Sequence, residues 1–240
     1  MEKFSISNIY TDNKGKKTID INPLPEKYCS FDCVFCPLGR TEIKTDESYY
    51  LPKTKDFIIK LENILREGKI DFVFINPWGE ALANSELINI IKIIKSYGAG
   101  VRLLSNGYIF SYPKYWEVLN LCDEVIGETA ALTEQDFAKF QRPMKGFTLE
   151  DYIGNMERFN KKFSGKFILD ITILGIYSNN EEAIEILKEI INRIKPEEYF
   201  LETPGGKYKA MGISPHELDS IRKKLIIGGS NGNFNQGRES

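Results

Sequence analysis

The sequence predicts an α/β protein built as a partial, TIM-like (β/α)6 barrel of parallel strands with an open lateral face. Three observations predict it. Apolar runs of strand length alternate along the chain with amphipathic stretches of helical period. The connections between them are short, and a crossover through a helix makes successive strands parallel. About six such units fit into the chain, fewer than the eight that close a full barrel.

Taken in order, residues 4–16 read as polar and irregular, with Asn13-Lys14-Gly15 as a turn. Residues 18–22 alternate apolar and polar side chains and form a first strand, which Pro23 and Pro25 end. Residues 53–67 form an amphipathic helix with Phe57, Leu61, Ile64 and Leu65 on one side and Gly68 as its stop. Residues 71–76 are a continuous apolar run, as expected of a strand covered on both faces. A second helix spans 84–97, with Asn84 as N-cap and Gly98 as the break. The alternation continues with strand 101–104, helix 113–121, strand 123–127, a Thr133-capped helix over 133–140 and a longer helix over 149–163. It ends with strand 167–174, helix 180–194, the short strand 199–201 and helix 215–225, capped by Ser214. Residues 1–226 read as one domain without a linker. The remainder, 227–240, is too polar and glycine-rich to pack and is expected to be a disordered tail.

At 240 residues, with 42% hydrophobic and 28% charged side chains, the composition is that of an ordinary globular protein. A net charge of −2 disfavours a nucleic-acid footprint over the whole surface, though it leaves a local one open. Lys14, Lys16 and Lys17, with Lys207 and Lys209, are the basic clusters such a footprint would use. No apolar run has bilayer-spanning length and no signal-type core follows Met1, so a cytoplasmic, membrane-free protein is expected.

The chemistry concentrates in Tyr28-Cys29-Ser30-Phe31-Asp32-Cys33-Val34-Phe35-Cys36-Pro37-Leu38-Gly39-Arg40. Three of the four cysteines lie there, spaced Cys-x3-Cys-x2-Cys. Three thiolates this close can serve one iron–sulfur cube and leave its fourth iron open. A structural zinc site needs four ligands, commonly in two separated pairs, and His216 is the only histidine. A disulfide framework suits neither the odd count nor a reducing compartment. A zinc-binding module, or a cluster-carrying electron carrier with a fourth non-cysteine ligand, remain the non-catalytic alternatives.

This motif resembles that of the radical S-adenosylmethionine (SAM) superfamily, and the chain is identified as a member on these residues. Asn76-Pro77-Trp78-Gly79-Glu80-Ala81-Leu82 resembles the family's Gly-Gly-Glu-Pro motif, with Trp78 where glycine is usual and Ala81 where proline is. Ser105-Asn106-Gly107 resembles its Thr-Asn-Gly, and Glu128-Thr129 and Gly175-Ile176-Tyr177 follow later strands where relatives hold the cofactor. Arg142-Pro143, Ile21-Asn22-Pro23-Leu24-Pro25 and Leu201-Glu202-Thr203-Pro204 are similar to a subgroup of iron–sulfur oxidoreductases related to wyosine-type tRNA enzymes.

The resemblance implies one 4Fe–4S cluster on Cys29, Cys33 and Cys36, with SAM chelating the open iron. Gly79 and Glu80 would bind the methionine amino group. Ser105 and Asn106 would hold the ribose or carboxylate, Glu128 the ribose or substrate, and Phe35 and Ile176 would flank the adenine. Arg142 is a candidate for a carboxylate or phosphate. Only Cys122 is left over, so an auxiliary cluster of the kind used by wyosine synthases is not expected, and a packed core thiol is the expected role for that residue. The implied partners are SAM, an electron donor such as ferredoxin or flavodoxin, and an unidentified substrate. The substrate classes left open are a small-molecule cofactor precursor, a modified nucleoside, or a partner protein of glycyl-radical type.

Overall fold

The structure, a computed structural model, describes residues 3–177 and 180–225. The expectation of a disordered tail at 227–240 lies outside these residues.

Six parallel strands lie side by side in sequence order: β1 (Lys17–Asn22), β2 (Phe72–Ile75), β3 (Gly100–Ser105), β4 (Glu124–Thr129), β5 (Lys166–Thr172) and β6 (Glu198–Glu202). The outer edge of β1 is covered by two short antiparallel strands, Ser5–Ile6 and Tyr10–Thr11. Polarity hid them: only Ile6 contributes to the core, while Ile9 and Tyr10 remain exposed. Among the described residues β6 pairs with β5 alone, so the sheet does not close. The expected open, partial barrel is what forms.

Residues in cross-strand register point to the same face. Ile19, Val73, Val101, Val125, Phe167 and Leu169 face outward and pack beneath the helices, all fully buried. Phe74, Leu104, Ile126 and Ile168 face inward as a separate apolar layer, with Phe200 against them. Below that layer, at the N-terminal ends of the strands, Arg102 pairs with Glu124 and Lys166 with Glu198. Lys14 also reaches Glu124, at 3.5 Å. This floor of paired charges and the apolar layer fill the lower barrel. The upper end is left for loops, as in full (β/α)8 barrels.

Six helices cover the outer face: α1 (Thr54–Gly68), α2 (Leu87–Ser96), α3 (Trp116–Asn120), α4 (Leu149–Asn160), α5 (Glu181–Ile194) and α6 (Pro215–Leu225). In α1 the buried Phe57, Leu61 and Leu65 recur every four residues and form the contact stripe. That helix runs through Gly68 and ends on Lys69 in the left-handed region (φ 42°), one residue later than expected. Asn84 does not cap α2. Its side chain accepts from the backbone of Glu86 and donates to Pro23 and Thr54, tying three segments together. Ser214 and Glu217 form the reciprocal capping box that starts α6. The helix expected over 133–140 is a single turn, Glu134–Asp136, that widens into a π-turn, Phe137–Gln141, and stops at Arg142 (φ 45°). Among the described residues no helix is long and apolar enough to cross a membrane.

Candidate functional site

The cysteine segment lies across the C-terminal end of β1 to β3, and three attachments hold it there. Tyr28–Cys29 forms a two-residue strand against Ile43–Lys44. Phe31, fully buried, inserts edge-on among Tyr108, Phe137 and Tyr152 at 5.3–6.0 Å between ring centres. The 140–144 segment straps over the loop: the carbonyls of Gln141 and Arg142 accept from the Asp32 amide, Phe140 from Val34, and Ser30 from Met144. The Arg-Pro pair singled out in the sequence therefore carries the backbone of this strap, while the Arg142 side chain points to solvent.

Within the loop, Cys36 N–H donates to Cys33 O and Gly39 N–H to Cys36 O, giving two successive tight turns. All three thiols are free. Burial pushes Cys29 up to about 12 and Cys33 well above the usual thiol range, so metal loading must displace protons. The polar groups facing the sulfurs are donors. The Phe31 amide and Asn106 Nδ2 approach Cys29 Sγ at 3.5 and 3.6 Å, and Lys27 Nζ approaches Cys36 Sγ at 3.1 Å. Donors aimed at sulfur favour thiolate ligation and tune an iron–sulfur centre, so the donor set fits a cluster. Among the described residues no three Cys, His, Asp or Glu side chains converge as a single metal ion requires. The thiolates of a cube bind three different irons and need no such convergence.

Beside Cys29 lies a carboxylate built into the backbone. Glu80 is 1% exposed. Its Oε2 accepts from Ser105 Oγ at 2.7 Å and from the Asn106 amide at 3.1 Å, and its Oε1 accepts from the Leu82 amide at 3.2 Å. Burial outweighs these three donors and raises its pKa from 4.5 to about 7. Asn106 continues the chain of contacts, donating through Nδ2 to Ser30 Oγ at 3.1 Å. Thus Cys29, Glu80, Ser105 and Asn106, drawn from three separate sequence motifs, share one hydrogen-bonded network.

Gly79 explains how the two loops approach. Its φ is +123°, and a Cβ there would lie 2.0 Å from the carbonyl oxygen of Tyr28. The same carbonyl accepts from the Glu80 amide. Glycine is required because the strand carrying Cys29 packs directly onto it. Trp78, where the family has glycine, is held by its amide on Asn22 Oδ1 at 2.7 Å.

The remaining sequence candidates lie on the other side of the rim. Glu128 is exposed at the end of β4, beside the inward-facing Asp170 of β5, and its charge opposes ionisation of Cys33. Ile176 is 50% exposed in the turn Gly175–Tyr177. Phe35 is half-buried against the core. Cys122 is a core thiol, 5% exposed, as expected.

Sequence reasoning assigned no role to Lys27, Asn22 or Tyr152, although Asn22 stands in the Ile21–Pro25 stretch singled out above. The Tyr152 hydroxyl lies within hydrogen-bond reach of the carbonyls of Asn106 and Glu128, bridging β3 and β4. Asn22, one residue before two prolines, would have been the most visible: a buried Asn there must satisfy its amide locally, and it does so on Leu24.

Three free cysteines stand on the rim of this open parallel barrel. The family model for the radical SAM superfamily matches residues 26–190, and the chain belongs to that superfamily. It is accordingly an enzyme of reductive SAM cleavage, with a 4Fe–4S cluster and SAM as its cofactors. It is 27% identical over 215 residues to a UPF0026 protein of Methanocaldococcus jannaschii, covering 88% of this chain and 67% of that one. A structure of TYW1 with a lysine-pyruvate adduct bound superposes with a TM-score of 0.66 at 16% identity, over 88% of this chain and 74% of that one. A radical SAM methyltransferase from Sphaerobacter thermophilus gives 0.61 at 10% identity, over 94% and 74%. These two likenesses concern the fold.

Proposed function

We propose that the chain is a one-cluster radical SAM enzyme whose first chemical step removes a hydrogen atom from an unactivated carbon of its substrate. The observation that carries this reading is the network joining Cys29 to Glu80 through Asn106 and Ser105. A buried carboxylate beside a candidate cluster ligand is placed to receive an ammonium group, and the methionine end of SAM brings one. When bound, the cluster supplies the electron that cleaves SAM to a 5′-deoxyadenosyl radical.

Cys29, Cys33 and Cys36 hold the cluster in this reading. Glu80 binds the amino group, with Gly79 letting its backbone approach, and the Ser105 and Asn106 side chains orient the carboxylate or ribose. Glu128 faces the ribose or the substrate, and Phe35 and Ile176 cover the adenine. The protein binds, orients and excludes water, while the cofactors do the difficult chemistry. Cys122, sealed in the core, is unavailable as a ligand to a second cluster. We further infer one domain over residues 1–226, a cytoplasmic location, and an electron donor of the ferredoxin or flavodoxin class. The open half of the rim suits a small cofactor precursor or a modified nucleoside.

The test is electron paramagnetic resonance of the anaerobically reconstituted, reduced protein, with and without SAM. A 4Fe–4S signal that changes on adding SAM supports the reading. A signal indifferent to SAM points to an electron carrier, and zinc in place of a cluster overturns the reading.

A further inference from the structure

We propose that Lys27 is a positioning residue for the cluster: its ammonium, sealed under the cysteine loop, holds the third ligand, Cys36, and raises the cluster's reduction potential. The proposal rests on the reading that Cys29, Cys33 and Cys36 carry a 4Fe–4S cluster.

A lysine is almost never fully buried without a partner, yet Lys27 is 2% exposed. Its Nζ donates to Cys36 Sγ at 3.1 Å and to the carbonyl of Gly39. Its own carbonyl accepts from the amides of Glu42 and Ile43, each at 3.1 Å. Backbone and side chain together therefore grip the descending half of the loop, from Cys36 to Ile43. Among the described residues no carboxylate pairs with this ammonium within 4.0 Å. A buried cation needs an anion to offset its desolvation, and a Cys36 thiolate ligating the cluster would supply one 3.1 Å from Nζ.

The charges around the loop fit this assignment. Lys27 Nζ, 3.1 Å from Cys36 Sγ, is close enough for its charge to act directly on the cluster. A cube with three thiolates gains one further negative charge on one-electron reduction. A fixed positive charge in a water-poor site stabilises the more negative state more strongly. Lys27 should therefore ease entry of the electron, which comes from the external low-potential donor.

The experiment compares wild type, Lys27→Met and Lys27→Arg, each anaerobically reconstituted and titrated electrochemically without SAM, following the reduced cluster by its paramagnetic signal. Lys27→Met is expected to shift the reduction equilibrium about tenfold against the reduced state, or about 59 mV for one electron. Lys27→Arg, which keeps the charge, is expected to stay within about threefold of wild type. Equal potentials for Met and Lys overturn the proposal, as does an Arg variant displaced as far as Met. A second measurement uses wild type alone, should Lys27→Met not assemble a cluster. Protein labelled with 15N-lysine, reduced without SAM, is expected to show a 15N coupling to the cluster by pulsed resonance, and its absence overturns the contact. A wild type that assembles no cluster overturns the functional reading and this one with it. A wild type whose cluster is present but indifferent to Lys27 overturns this one alone.

Discussion

The C-terminal rim of the sheet is built differently on its two sides. At β1 to β3, the candidate groups are buried and bonded to one another: Cys29 is 8% exposed, Glu80 and Ser105 each 1%, and Asn106 6%. At β4 to β6, Glu128 is exposed and Ile176 is half-exposed. The first side is a finished socket whose polar groups already satisfy each other. The second is a shelf on which Glu128 and Ile176 are solvent-accessible. In the proposed reading the contrast separates two jobs, cofactor binding on the first side and substrate choice on the second. A cofactor shared by many reactions favours a pre-built site, whereas substrate choice lives in loops that vary without disturbing the scaffold.

Breaking the socket should cost most at its sulfurs. Replacing Cys29, Cys33 or Cys36 with alanine is expected to abolish the 4Fe–4S absorbance and all SAM cleavage, while Cys122→Ser leaves cluster content unchanged. Cluster loss in Cys122→Ser, or its retention in any of the other three, would contradict the ligand assignment. Next comes Gly79→Ala. The added Cβ collides with the Tyr28 carbonyl from a backbone with φ of +123°, so a loss of about 3 kcal/mol or more is expected in denaturant titrations. Cluster uptake should fall with it, because the collision pushes on the residue before Cys29.

Glu80 carries a pH signature, because its burial disfavours the charged carboxylate. Its pKa is raised from 4.5 to about 7 by burial. Between those pH values the folded chain keeps a proton that the unfolded chain has lost, so this residue's contribution to stability declines as pH rises from 4.5 to 7. The decline amounts to about 3 kcal/mol and stays constant above pH 7. Glu80→Gln should remove that dependence, leaving stability flat between pH 4.5 and 7 in denaturant titrations. It should also weaken SAM binding at least tenfold by calorimetry, since the charge-assisted partner of the ammonium is gone. A variant whose stability still falls over that pH range would show that another group carries the dependence.

The two sides also differed in how far the sequence revealed them. The socket's residues were legible because their chemistry leaves a pattern: tight cysteine spacing, and a glycine that a close backbone approach demands. The barrel was legible because its outward residues, such as Val73, Val101 and Val125, are fully buried and strand-forming. Lys27 was not, since a single lysine beside a proline-rich turn looks like any surface lysine until the loop folds over it. The short strands at the N-terminus were missed because their side chains are mostly exposed, so no alternation marks them. The turn Phe137–Gln141 was read as an ordinary helix because the extra residue of a π-turn leaves helical periodicity nearly unchanged over one turn.

The smallest expected effect tests the shelf. Ile176→Ala removes a half-exposed side chain from a short turn, so stability should change by no more than about 0.5 kcal/mol. If Ile176 covers the adenine, the same change should weaken SAM binding measurably, and it should weaken binding of an analogue lacking the adenine not at all. Glu80→Gln should weaken both ligands alike, because it acts at the methionine end. Comparing the two variants against the two ligands in one set of titrations separates a socket contact from a shelf contact. An Ile176→Ala variant that binds SAM as wild type does would move the adenine elsewhere on the rim and leave this turn to the substrate.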